Sequence, residues 1–261
     1  MKAAVLEKLN SPLAIREVFP TQLLPGQVYV KVLVSGICGA QLHEIRGHKG
    51  NGKFLPHLMG HEGCGIVKEV GPGVTTVKEG DKVVMHWRPG SGIESEFPKY
   101  HLGEKIISSG KCTTLSEFSI VSENRLTKVP SDTPTVLAAM LGCSLTSAMA
   151  IIDNECNLKF GESVAVIGCG GVGLNLIQAA KMKSAYPVYG VDINDKMFNL
   201  TQQIGVDIFT CDLEFIPHKV DVILDTTGVP EVISKAFDKL APSGRLIMVG
   251  QPAPDTDLNI F

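Results

Sequence analysis

Two cysteines and a histidine stand in glycine-flanked turns: Cys38 in "SGICGA", His61 in "LMGHEG" and Cys143 in "MLGCSL". Two thiolates and an imidazole suit a borderline-soft divalent cation, and three protein ligands on zinc leave a fourth position for water or substrate. The three are far apart in the chain, so spacing alone does not establish a site. A single cysteine is more often a buried thiol acting as a small hydrophobe, and a single histidine a hydrogen-bonded structural residue. A second stretch, "SVAVIGCGGVGLN", spaces Gly168, Gly170 and Gly173 as GxGxxG between an apolar run and an amphipathic one. In that pattern the first glycine permits the tight turn, the second lets backbone approach a pyrophosphate, and the third lets helix and strand pack closely. Asp192 closes the next apolar run, about 20 residues on, where an acidic side chain meets the adenosine ribose. That position favours NAD over NADP, although Lys196 lies beyond it and tolerates a phosphate. The competing reading of Asp192 is a cap for the following helix.

These residues need elements to carry them. With 261 residues, 44% hydrophobic and 20% charged, the chain has material for one large domain or two medium ones. Before residue 160, short β-like runs such as "VYVKVLV", "GCGIVKEV", "DKVVMHW" and "LSEFSIV" alternate with turn signals, which predicts an irregular, mostly β domain. From residue 161 the rhythm is strand, glycine turn, helix, strand. "SVAVIG", "PVYGVD", the short "DIFTC", "VDVILDTT" and "GRLIMVG" make about five strands, separated by helices, and predict a parallel sheet covered on both faces. The fold class is therefore α/β, with a mostly-β domain over 1–155 and a Rossmann doubly wound domain over 156–261.

Several classes are excluded. A net charge of −3 argues against nucleic acid or an anionic membrane as the main partner. No apolar run is long enough to span a bilayer. The start "MKAAVLEKLN" lacks a signal peptide's apolar stretch, so a cytoplasmic location is expected. Seven scattered cysteines without a CxxC do not make a disulfide framework.

Taken in order, "GICGAQLHEIRG", "PHLMGHEGCGIVKEVGPGVTTVKEGDKV", "AAMLGCSLTSAMA" and "AVIGCGGVGLN" closely resemble the zinc-dependent medium-chain alcohol dehydrogenases, along the whole chain. The resemblance implies a GroES-like catalytic domain ahead of the Rossmann domain, one catalytic Zn2+ on Cys38, His61 and Cys143, and Glu62 beside it or on it. It implies that His43 passes the proton outward and that Trp87 is a wall of the substrate pocket. The cofactor-binding set becomes Gly168, Gly170, Gly171, Val172, Gly173, Asp192 and Ser147, with Ser147 and Val172 against the nicotinamide. The implied reaction is reversible hydride transfer between a small alcohol, or a polyol or sugar-derived alcohol, and NAD. The alternative is a truncated inactive dehydrogenase or a zinc-stabilised binding protein without turnover.

Four departures from the family pattern set further expectations. Ala40 stands where a hydroxyl residue relays the substrate proton, so a water chain ending at His43 takes that place. Gln41 stands where an aspartate orients the ligand histidine; its amide oxygen is expected to accept the imidazole N–H without charge, with weaker metal binding. The segment 88–111 has none of the four close cysteines that hold a structural zinc, and Ser91 stands near the first, so a single zinc is expected, with His86 and His101 as loop or pocket residues. Finally, the sequence stops at "DLNIF", after the fifth predicted strand, where the family has a sixth. An unpaired strand edge is expected there. The resemblance implies a homo-oligomer, and the missing strand counts against it here.

Overall fold

Valines alternate along "QVYVKVLVS", and the strand Gln27–Ser35 buries Val28 and Val30 on one face while Lys31 points outward. A period of two is what a strand with one covered face requires. This strand is second in an antiparallel five-stranded sheet that runs Phe118–Ser122, Gln27–Ser35, Gly63–Val70, Lys82–Met85, Leu126–Lys128. A second sheet of six short strands is built around Lys2–Leu6. Val28, Val30, Val67, Val83, Met85 and Val121 form the core of the first sheet, and Val5, Leu58, Tyr100 and Ile120 that of the second.

The strands of the second half show no alternation. "VAVI" (Val164–Ile167) and "VYGV" (Val188–Val191) are buried at every position, as strands with both faces covered must be. The five strands are parallel in the order Ile208–Thr210, Val188–Val191, Val164–Ile167, Val220–Asp225, Leu240–Met248. Helix Gly171–Met182 contributes Leu176, Ile177, Ala179 and Ala180 to one apolar cluster, and helix Pro230–Asp238 contributes Ala236 to the other. The short "DIFTC" is a true strand, and "GRLIMVG" belongs to a longer one that begins at Leu240.

The computed structural model describes residues 1–48, 50, 52–252 and 256–258. Contacts divide the chain into two units, Met1–Cys143 and Ser144–Phe261. The helix Ser144–Ala150 and the π-helical turn Ile151–Glu155 place Ala148 and Ile152 in the core of the second unit. Among the described residues, no helix is long and apolar enough to cross a membrane.

The segment 88–111 folds back on the first unit without cysteines. Lys99–Leu102 and Lys105–Ser108 form a hairpin that buries Tyr100, whose hydroxyl accepts the Ile120 N–H at 2.6 Å. The fully buried Glu123 carboxylate accepts three backbone N–H groups, from Ile93 at 2.8 Å and from Thr75 and Thr76 at 2.7 Å each. Burial raises the pKa of Glu123, but the three donors outweigh it and hold the carboxyl below its ordinary value. A depressed carboxyl pKa stabilises the fold above the unfolded value of about 4.3, and this contribution disappears as pH falls through the folded value. Replacing Glu123 by Gln is therefore expected to cost about 2 kcal/mol at neutral pH. The unfolding midpoints of wild type and Glu123→Gln should converge below about pH 4; a gap that stays constant into acid would refute the assignment.

Candidate metal centre and nucleotide cradle

Cys38 stands at the N-cap of the short helix Gly39–Ile45 with extended backbone, φ −103° and ψ 149°. Its backbone N–H is tied by the side chain of Gln41, whose Oε1 accepts it at 2.6 Å, as in a capping box. His61 follows the strand His57–Leu58, and Cys143 ends the turn after helix Thr135–Met140. The pairing of Gly63 with Met85 lays the chain after Met85 alongside the chain before Gly63, so Trp87 comes across from His61. Gly142 fits between them because it has no side chain: a Cβ there would collide with the Met85 carbonyl and lie 2.8 Å from the Glu62 Cα. A Cβ at Gly36 would lie 2.6 Å from the Glu62 carboxyl carbon. Gly39, by contrast, has open space at its Cβ, so only one glycine beside Cys38 is required by packing.

These turns bring together the Cys38 and Cys143 sulfurs and an imidazole nitrogen of His61, all within 4.8 Å of one another. It is the only grouping of three or more ligand-type donors this close among the described residues. All three side chains are half-buried, and all belong to the first unit. Hydrogen bonds from Cys143 and then His61 pull the Cys38 thiol down, to about 4. Cys143 is pushed up, chiefly by its hydrogen bond to the Cys38 sulfur and then by burial. The two sulfurs thus share one proton, in the place where a divalent cation would neutralise both. The donor set fits zinc: soft sulfurs with one imidazole, and a coordination position left for a substrate.

The expected role of Gln41 needs correction. Its oxygen was expected to accept the imidazole N–H, but that oxygen is taken by the Cys38 N–H. The amide nitrogen faces His61 Nδ1 at 2.9 Å. An imidazole that offers Nε2 to a metal carries its proton on Nδ1. Gln41 then meets two N–H donors, Cys38 N–H and His61 Nδ1–H, with one acceptor oxygen. Flipping the amide exchanges one donor-to-donor conflict for the other. A carboxylate accepts both.

His43 lies half-buried on the helix Gly39–Ile45, its ring 5.5 Å from that of His48 in an edge arrangement. Glu62 is buried beside the cluster. Trp87 is half-exposed and hydrogen-bonds Cys143. His86 uses both nitrogens structurally, on the Arg88 carbonyl at 2.7 Å and the Thr127 hydroxyl at 3.0 Å. His101 is exposed on the hairpin, in the strand Lys99–Leu102.

In the second unit the glycine turn joins strand Val164–Ile167 to helix Gly171–Met182. Gly168 has φ +86°, which favours glycine, and a Cβ at Gly173 would collide with the Gly168 carbonyl. At Gly170 and Gly171 a Cβ would touch no protein atom. Their bareness leaves an open cradle at the N-terminus of a 12-residue helix, the kind of place that receives a phosphate. Val172 is half-buried on that helix, and Ser147 on Ser144–Ala150. Asp192 does not cap the next helix, Met197–Gln203. Its Oδ2 accepts the Cys169 N–H at 2.7 Å and its Oδ1 the Asn194 N–H at 2.9 Å, which braces the glycine turn. Each oxygen keeps a lone pair for a further donor. Asp192 lines a cavity of about 390 Å³ with Gly168, Ile193, Asp212, Thr227 and Lys235. Lys235 was not foreseen, because it reaches the cavity from a helix distant in sequence.

Residues 24–131 match the family of the alcohol dehydrogenase GroES-like domain, and residues 171–261 match the zinc-binding dehydrogenase family. The chain is 30% identical to an alcohol dehydrogenase class-3 of Cereibacter sphaeroides, over 95% of this chain and 78% of that relative. It is 31% identical to alcohol dehydrogenase 6 of Peromyscus maniculatus, over 99% of this chain and 78% of the relative. The crystal structure of benzyl alcohol dehydrogenase from Acinetobacter calcoaceticus superposes with a TM-score of 0.85 at 25% identity, covering 99% of this chain and 79% of that one.

The acceptor shortage at Gln41 has a measurable consequence. Gln41→Glu keeps the length of the side chain and supplies the second acceptor. It is expected to tighten zinc binding by roughly 10- to 100-fold in competition against a chromophoric chelator. Equal affinity in the two proteins would remove the argument.

Proposed function

We propose, because the chain belongs to the zinc-dependent medium-chain alcohol dehydrogenase family, that it transfers a hydride between a small-molecule alcohol and NAD, using Cys38, His61 and Cys143 to hold one zinc ion. The observation that carries this reading is the convergence of three suitable donor atoms within 4.8 Å. A zinc ion held there supplies a Lewis acid for the alcohol oxygen, and a bound nicotinamide supplies the hydride acceptor.

The rest is the work of the chain's own side chains. Glu62 adds negative charge beside the ligand set. Trp87 forms a flat apolar wall that shields the reacting carbon from water. Ala40 has no proton to pass, so the alcohol proton leaves through water and reaches solvent by the His43 imidazole, whose neighbour is His48. In the nucleotide unit Gly168, Gly170, Gly171 and Gly173, with Val172, let backbone approach the pyrophosphate, and Ser147 is assigned to the nicotinamide end. Asp192 accepts ribose hydroxyls and repels a 2′-phosphate, which sets NAD above NADP.

Incubating the purified chain with zinc, NAD and a panel of alcohols should give NADH formation that a chelator abolishes and that Cys143→Ser lacks. Asp192→Ser should reduce the preference for NAD over NADP by roughly 10- to 100-fold. NAD binding without turnover of any alcohol would sink the enzymatic reading.

A further inference from the structure

A chain with a net charge of −3 and only 6% aromatic residues gathers unusual features around Trp87. Three of the exposed rings of the first unit line cavities: Phe54 at 68%, Phe97 at 55% and Trp87 at 49%. Trp87 and Phe97 line one cavity of about 390 Å³, together with Lys111, Cys112 and Arg125. Phe97 also lines a second cavity, of about 300 Å³, which it shares with Phe54. Phe97 thus borders both cavities, so they lie side by side along the aromatic rings, Trp87 at one end and Phe54 at the other.

Each ring carries a cation. Lys53 Nζ lies 4.8 Å from the Phe54 ring centre, Lys111 Nζ 5.1 Å from that of Phe97, and the Arg88 guanidinium 5.6 Å from that of Trp87. These contacts hold the charges at the margin of the groove. They are poorly neutralised. Lys111 and Arg125 share the one carboxylate of Glu94, at 2.8 Å and 3.0 Å, and neither Arg88 nor Lys53 has an acidic partner among the described residues. Glu44, the other acid in the groove, lies 3.3 Å from the His57 Nε2. The His57 Nδ1 donates to the Leu58 carbonyl at 2.9 Å. Among the described residues, the cations Lys53, Arg88, Lys111 and Arg125 thus face only the carboxylates of Glu44 and Glu94 along these cavities. Flat apolar faces with surplus positive charge along one side recognise a flat, apolar, anionic molecule.

We infer that the groove formed by Trp87, Phe97 and Phe54 selects an aryl alcohol bearing an anionic group, the ring lying on the aromatic wall and the anion meeting Arg88 and Lys111. The inference rests on the dehydrogenase reading for turnover, though not for binding. Arg88 and Lys111 act here as specificity residues and are not metal ligands.

Trp87 is the only tryptophan of the chain, so its fluorescence reports the groove directly. The probe pair is 4-(hydroxymethyl)benzoate and its neutral near-isostere 4-(hydroxymethyl)benzamide. The benzoate should change Trp87 emission saturably with a Kd about tenfold below that of the amide. The difference should shrink in 1 M salt, where the Debye length is about 3 Å. Arg88→Gln and Lys111→Gln, both at solvent-accessible side chains, should each weaken benzoate binding by roughly fivefold and leave the amide unchanged. Equal Kd values for the two probes, or no saturable signal from either, would overturn the inference. Turnover in which the amide matches the benzoate in kcat/KM would overturn it too and leave the dehydrogenase reading intact. Charge-selective binding with no turnover of either alcohol would do the reverse, sustaining the groove and removing the dehydrogenase reading.

Discussion

Three metal-type donors are forced together by backbone that has no other reason to approach so closely. Two thiols and an imidazole lie within 4.8 Å, and the hydrogen bond between the sulfurs drives Cys38 toward the thiolate and Cys143 away from it. Gly142 wedged between Met85 and Glu62, and Gly36 against the Glu62 side chain, exist to permit that convergence. A divalent cation held there would neutralise both sulfurs, and metal affinity is then coupled to folding of the turns around it.

The same turns decide how well the arrangement is supported. Cys38 is both a candidate metal ligand and a helix N-cap, so its backbone N–H and the ring of its neighbour His61 call on one side chain. A carboxylate at position 41 would serve both, and the glutamine serves one. This is a local conflict between capping and metal support, and it arises because the helix begins at the ligand itself. Natural chains keep such conflicts where function or history holds them in place.

Much of the architecture was legible in the sequence because it is periodic. The alternating valines of Gln27–Ser35 and the fully apolar strands around Val164–Ile167 carry their burial in their spelling, and the glycine turn announces the nucleotide unit. The zinc donors were legible only as glycine-flanked turns plus resemblance, since nothing in spacing brings Cys38 to Cys143. What the sequence did not disclose depends on distances. The contest for the Gln41 oxygen is settled by a 2.6 Å contact, Lys235 arrives at its cavity from another helix, and Asp192 turned out to brace the glycine turn from its own loop. The hairpin Lys99–Ser108 was hidden because its strands are only four residues each and carry lysines at both beginnings.

That hairpin and the segment leading to it show how one physical role passes to other residues. The family pattern that this sequence resembles places four close cysteines here in many members. Here the Glu123 carboxylate gathers three backbone N–H groups, and Arg125 ties the Trp87 carbonyl at 2.7 Å while sharing Glu94 with Lys111. The side chains that stand in their place, Glu94, Glu123, Lys111 and Arg125, carry two charges of each sign. Because Arg125 grips the backbone of Trp87, the group that fixes the wall is also one that charges the groove beside it. In the groove inferred above, positioning and selectivity would rest on the same few side chains, so substitutions that loosen the segment would alter charge preference along with stability.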